Sequence, residues 1–244
     1  MNTAGSSCYL AVMFFLQEAH TNEINDYWEI EGEANSFAGE LLVPTDWVQE
    51  KLSKRDDLAK IHRLISKRCE VSLHVAAIRL TQLLPKNFVY VVERCGTVEF
   101  SGKTDGTLAG TLEWETFFDS DAYNYSEKHF SVDVGDHRIH WWKLPGTFVY
   151  SKPDGRDWRE ILSGILNDLE IPLAKVPKLK SSINGVVAYA NSVAKRSEDY
   201  SISTIAAACL QRFNDRDEYK EFSQHHDFAT FVTKKAQALI EPNH

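Results

Sequence analysis

The apolar positions of this chain change period twice, and the changes divide it into three parts. Up to about residue 85 the spacing is three and four, the period of helices. The run Cys8-Tyr9-Leu10-Ala11-Val12-Met13-Phe14-Phe15-Leu16 predicts a buried helix over 8–20, followed by a turn-forming stretch from Asn22 to Glu29. A second helix is predicted over 31–43. Ala34, Phe37, Ala38, Leu41 and Leu42 line one side of it, and Pro44 stops it. Thr45-Asp46 reads as the cap of a short helix carrying Trp47, Val48 and Leu52. Leu58, Ile61, Leu64 and Ile65 share a face of the next helix. Ser72 caps another whose inward side is Ala76, Leu80, Leu83 and Leu84, ending at Pro85.

The period then shortens to that of strands. Phe88–Glu93, a Cys95-Gly96 turn and Thr97–Phe100 are predicted to pair, and Thr111–Trp114 lies between glycine-containing turns. Phe130–Val134, Gly135-Asp136 and Arg138–Trp142 read as a hairpin, and Thr147–Tyr150 as a last strand. A small antiparallel sheet over 88–150 follows. After Asp154-Gly155 helical spacing returns with Trp158, Ile161, Leu162, Ile165, Leu166 and Leu169. Pro172 and Pro177 bracket an expected linker. Three helical faces come after it: Val186, Val187, Tyr189 and Val193; Ile202, Ile205, Ala206, Cys209 and Phe213; Phe228, Phe231, Val232, Ala236 and Leu239, the last capped by Asp227. The predicted class is α+β, with an N-terminal helical domain over 1–86, an antiparallel β-domain over 87–152 and a C-terminal helical domain over 153–244.

Composition narrows the function. A length of 244 residues fits one large domain or two small ones. The net charge of −8 argues against direct nucleic-acid binding, which needs clustered cations. Lys175, Lys178 and Lys180 around Pro177 read as a solvated linker. Cys8, Cys69, Cys95 and Cys209 form no C-x-x-C pair, which fits neither a zinc knuckle nor a disulfide framework and suits a reducing cytosol. The apolar run from Cys8 to Leu16 is too short for a bilayer and lacks the flanks of a signal peptide. The expectation is a cytoplasmic protein with no membrane partner.

The familiar catalytic signatures are missing: no G-x-S-x-G, no P-loop and no G-x-G-x-x-G. His137 and His140 fall on opposite faces of a strand. His129 has no evident partner, and His62 and His74 read as half-buried polar residues. His225-His226-Asp227 reads as capping and surface chemistry, because adjacent histidines on a helix do not converge. Trp141, Trp142, Phe148 and Tyr150 read as sheet core.

Two segments carry a resemblance. Glu33-Ala34-Asn35-x-Phe37-Ala38-x-Glu40-Leu41-Leu42-Val43-Pro44 resembles the segment that follows the zinc-binding helix in the ImmA/IrrE family of metallo-endopeptidases. Val71-Ser72-x-x-x-Ala76-x-x-Arg79-Leu80 is similar to the family's next marker helix. The resemblance implies a zincin-like helical scaffold, with Glu33 as third zinc ligand, a catalytic glutamate and two histidines from an H-E-x-x-H helix. This chain has no H-E-x-x-H. At the corresponding place it reads Gln17-Glu18-Ala19-His20-Thr21, so Glu18 keeps the base position and His20 is displaced about 100° round the helix. The family's segment before the zinc helix is also longer than the residues preceding Gln17. The expectation is a degenerate, non-catalytic N-terminal remnant without a cofactor. It would act as a regulatory module that binds a repressor-, toxin- or antitoxin-type protein, in the prophage, mobile-element or defence settings the resemblance implies. Self-association stays open. One rival is an active zinc endopeptidase that cleaves a helix-turn-helix repressor, with metal on Glu33 and His20 and Glu18 as base. The other is a toxin or defence effector with its chemistry in the C-terminal part.

Overall fold

A computed structural model of the chain describes residues 37–148, 154–197 and 199–241. Residues 37–42 are helical and lead through Pro44 into α1 (Thr45–Lys54), α2 (Leu58–Cys69) and α3 (Leu73–Leu83). Four strands follow, β1 (Phe88–Arg94), β2 (Thr97–Lys103), β3 (Lys128–Val134) and β4 (His137–Lys143). They form one antiparallel sheet in the order β2-β1-β4-β3. The chain ends in α4 (Trp158–Asp168), α5 (Val176–Ala194), α6 (Ile202–Asn214), a 3-10 turn (Asp217–Tyr219), α7 (Lys220–Gln224) and α8 (Phe228–Ile240). The mixed helix-and-sheet class expected from the periods is therefore present. Among the described residues no helix is long and apolar enough to cross a membrane.

Two tight turns start the sheet's hairpins, and in β1–β2 a bulge at Val92/Glu93 then shifts the register by one residue. Cys95 and Gly96 both adopt positive φ (52° and 81°), as a two-residue turn between right-twisted strands requires. Gly135 does the same at 63°, so Val134 faces His137 and every later pair is fixed. Alternation then sends Tyr90, Val92, Ile139 and Trp141 to one face, where they pack with Val48, Leu58, Ile61, Ile65, Ala76 and Leu80 from α1–α3. Val89, Val91, Trp142 and Leu144 face the other way, under Ala109 and Tyr123 of the long β2–β3 loop. A third core lies among α4, α5, α6, α7 and α8, built on Ile161, Ile165, Ile183, Phe213 and Phe231.

A polar seam joins this last core to the sheet. Gln211, buried on α6, donates to the Asn87 Oδ1 (3.0 Å) and the Pro145 carbonyl (2.9 Å) and accepts from the Leu108 amide (3.2 Å). A buried amide with all three bonds made specifies one docking of α6 on the loops, because any other leaves polar atoms without water or partner.

Several local expectations are corrected. Thr45-Asp46 does not cap α1 through its own side chains. The Glu40 carboxylate performs that role, accepting from the Thr45 amide (2.8 Å) and hydroxyl (2.6 Å). Thr111–Trp114 is not a strand. The pairing beside β2 comes from residues further on, through Glu115 N–H to the Val98 carbonyl (2.9 Å) and Val98 N–H to the Thr116 carbonyl (2.9 Å). Thr147 and Phe148 are not in a strand either; Phe148 donates to the Ser203 carbonyl (3.0 Å), and Val149 and Tyr150 lie outside the described residues. Pro177 does not close a linker. It occupies the first turn of α5, where a missing N–H costs nothing. Tyr189 points outward, 51% exposed, and Ile183, Val186, Val187 and Ala190 form that helix's buried face. Asp227 makes no side-chain cap and is bonded instead to Arg156. The predicted helix over 8–20 lies outside the described residues.

Candidate functional site

Glu18, His20 and Glu33 all lie outside the described residues. The segment that carries Glu33 enters the structure at Phe37 and there offers a single carboxylate, Glu40. That carboxylate is committed: it takes the two bonds from Thr45 and an ion pair from Arg79. The described part of the segment therefore supplies no donor set for zinc. Arg79 comes from the second segment of the resemblance, and it holds the first in place. Only 8% exposed, it donates Nε to the Val43 carbonyl (2.9 Å), Nη1 to Gln82 Oε1 (3.1 Å) and Nη2 to the Thr45 hydroxyl (2.7 Å). The two marker segments are thus in contact, and a planar five-donor guanidinium is the side chain that fits four acceptors at once.

The anchoring leaves the helix at 37–42 with its apolar side turned outward. Val43 is fully buried, whereas Phe37 and Leu41 are each 67% exposed and Leu42 is 53% exposed. The sequence pattern, read as an inward face, is corrected here for the described positions. Side chains of this size are rarely presented together on a solvent-facing turn unless something docks there. Two residues beyond Leu42 a groove of about 680 Å³ opens, floored by Pro44, Trp47 and Leu64. Its rim is basic, with Lys51, Lys54, Arg55 and Arg68 against the single acid Glu50. The Lys51 ammonium lies 5.5 Å from the Trp47 ring centre.

No protein-family model, curated protein or solved structure matches this chain. The ImmA/IrrE resemblance rests on the residues quoted above and on nothing wider.

Three polar clusters lie elsewhere. Asp168, His225 and His226 bring one ligand atom each within 4.8 Å, the one such group among the described residues. The expectation that the adjacent histidines diverge is corrected: they occupy the turn between α7 and α8, not a helix, and their rings sit 4.2 Å apart. The hydrogen bonding still disfavours a metal. The Asp227 amide donates to His225 Nδ1 (3.1 Å), which leaves the ring proton on Nε2, the atom facing Asp168 at 3.3 Å.

The second cluster is a cleft of about 380 Å³ between the 110–125 loop and the C-terminal end of α6. Asp215 lies in its wall, bonded by Arg212 Nη1 (2.6 Å) and seated on Gly110, where a Cβ would meet its Oδ1 at 1.8 Å. Burial raises the Asp215 pKa, and it also raises those of the adjoining Tyr123 and Tyr125. Tyr123 donates to the Gly110 carbonyl (2.8 Å), which ties the two ends of the loop wall to each other.

The third is on the sheet. His140 is not isolated. Its Nε2 faces Glu93 Oε1 at 3.4 Å, and its Nδ1 meets Nε2 of His129 at 3.0 Å. The expectation that His129 lacks a partner is therefore corrected, whereas His137 does take the opposite face from His140 as alternation requires. Desolvation lowers the pKa of both His129 and His140. This pair was legible in principle. The Gly135-Asp136 turn dictates that His129 pairs with Trp142, one diagonal from His140, once β3 is begun at Lys128. The correction at His62 is of another kind: it is fully buried, not half-buried.

Proposed function

We propose that this chain is a non-catalytic regulatory module that binds a protein partner through the outward face of helix 37–42 and the basic-rimmed groove beside it. The observation that carries the reading is the exposure of Phe37, Leu41 and Leu42 on a helix that Arg79 ties to α3. Apolar anchors with a basic rim suit a partner helix that has an apolar stripe and acidic flanks. The ImmA/IrrE resemblance supports the reading that such a partner is a repressor, toxin or antitoxin protein of a mobile-element or defence system, in the cytoplasm. A photo-crosslinking amino acid at position 37 of the full chain tests this in the native host. The expected product is one discrete adduct with a second protein, weakened in Leu41→Ser and absent from a probe at Lys128. Crosslinks confined to residues 1–36, or to a second copy of the chain, refute it.

A second reading, chemistry in the C-terminal part, is favoured by one observation, the raised pKa of Asp215 within a cleft. Because residues 110–125 form the facing wall, the C-terminal part alone does not hold this cleft. Asp215→Asn in the full chain is the relevant test, and an unchanged cellular phenotype with an intact fold removes this reading.

A further inference from the structure

We infer that Glu93, His140 and His129 form a binding site for a late first-row divalent metal ion, with His140 Nδ1 and His129 Nε2 as ligands and Glu93 as the carboxylate behind His140. None of its residues belongs to the proposed docking surface.

The inference follows from which nitrogen carries which proton. A carboxylate oxygen accepts, so His140 presents Nε2–H to Glu93, and the His140 Nδ1 lone pair is directed away from that residue. That lone pair meets His129 Nε2 at 3.0 Å, with the two ring planes within 7° of parallel. Two imidazole nitrogens on a four-coordinate ion at about 2.0–2.1 Å stand about 3.3 Å apart. Metal binding therefore asks His129 to carry its proton on Nδ1, the Nε2 proton leaving to solvent as Nδ1 takes one up, while the two nitrogens separate by about 0.3 Å and the His129 ring turns until its Nε2 lone pair points at the ion. His129 is exposed, so its ring can turn at the expense of its stacking on Trp142, and solvent fills the remaining positions.

A ligating histidine that gives its other N–H to a carboxylate is the usual support of a protein metal site. Here that support is built in. Glu93 is itself held by the Gly96 amide (2.9 Å), and His140 is 4% exposed, covered by Phe118 at 4.5 Å between ring centres. Trp142 stacks on His129 at 4.6 Å and 6°. The contrast with Asp168, His225 and His226 is instructive: there the nitrogen behind the candidate ligand atom receives a hydrogen bond instead of donating one. Imidazole pairs suit copper, nickel and zinc, and copper binds most tightly of these.

Calorimetric titration of the full chain with Cu²⁺ and Zn²⁺ at neutral pH tests the site. The expected result is one ion bound with Cu²⁺ preferred and loss of that binding in His129→Gln. Affinity should fall 10- to 100-fold in Glu93→Gln, the usual effect of removing a supporting carboxylate. His226→Gln and Glu33→Ala should leave it unchanged. His129→Asn, a second exposed replacement, serves if His129→Gln fails to fold. The inference is overturned if the native chain binds neither ion, if His129→Gln binds as the native chain does, or if binding is lost only in His226→Gln or Glu33→Ala.

Discussion

Lowering the pH from 7 to 5 should destabilise this protein through one buried histidine. His62 is fully buried on α2. Its Nε2–H donates to the Leu73 carbonyl (2.7 Å), and its Nδ1 accepts from the Trp141 indole N–H (3.1 Å). Burial depresses its pKa from the ordinary 6.5 to about 4, against a smaller opposite effect of the Leu73 bond. A second proton would also have to sit on Nδ1, facing the Trp141 donor. Between pH 6.5 and 4 the unfolded chain binds more protons at this residue, so stability is present above that window and is lost as the pH falls through it. The gap is worth about 3 kcal/mol in full, at about 1.4 kcal/mol per pH unit. About 2 kcal/mol of it is gone at pH 5. Urea unfolding followed by tryptophan emission should show the midpoint falling by about 1 M between pH 7 and pH 5. His62→Gln keeps a donor toward Leu73 but does not titrate. It should be less stable at pH 7, where Trp141 loses its acceptor, and should lose about 2 kcal/mol less on acidification. Equal acid sensitivity in the native chain and in His62→Gln would refute the reasoning.

Other perturbations test the anchors described above. Gln211→Leu leaves the Leu108 N–H and the Pro145 carbonyl unpaired at the seam and should cost about 2–4 kcal/mol; differential scanning calorimetry should show the single unfolding peak broadening or splitting as α6 uncouples from the sheet. Arg79→Lys preserves charge but cannot serve Val43, Thr45, Gln82 and Glu40 together. It should cost about 1–3 kcal/mol and speed proteolysis near Pro44, whereas Arg63→Lys, exposed on α2, should change neither. Gly110→Ala drives a methyl group into Asp215 and should cost about 1–3 kcal/mol. Adding Asp215→Ala should recover part of that loss, a non-additivity that a double-mutant cycle in urea measures directly.

How much could be read in advance depends on how local the cause is. The hairpin turns at Cys95-Gly96 and Gly135-Asp136, the Ser72 cap and the inward faces of α2, α4 and α8 follow from residues within a turn of one another, and the chain alone specified them. The stop at Pro44 is equally local. What the tertiary structure decided depends on partners far apart in the chain. An apolar stripe on helix 37–42 is the same stripe whether it faces in or out; Arg79, 36 residues beyond Val43, fixes which. His62 is buried, and so kept neutral, by the sheet packed over α2, from which Trp141, 79 residues away, supplies the N–H that fills its second nitrogen. Glu93, His140 and His129 become an array only when three strands come into register. Spacing and caps dictate where elements begin and end, because their energies are local. Which side of an element is covered, and which histidine meets which carboxylate, is set by the packing of segments that the chain keeps apart.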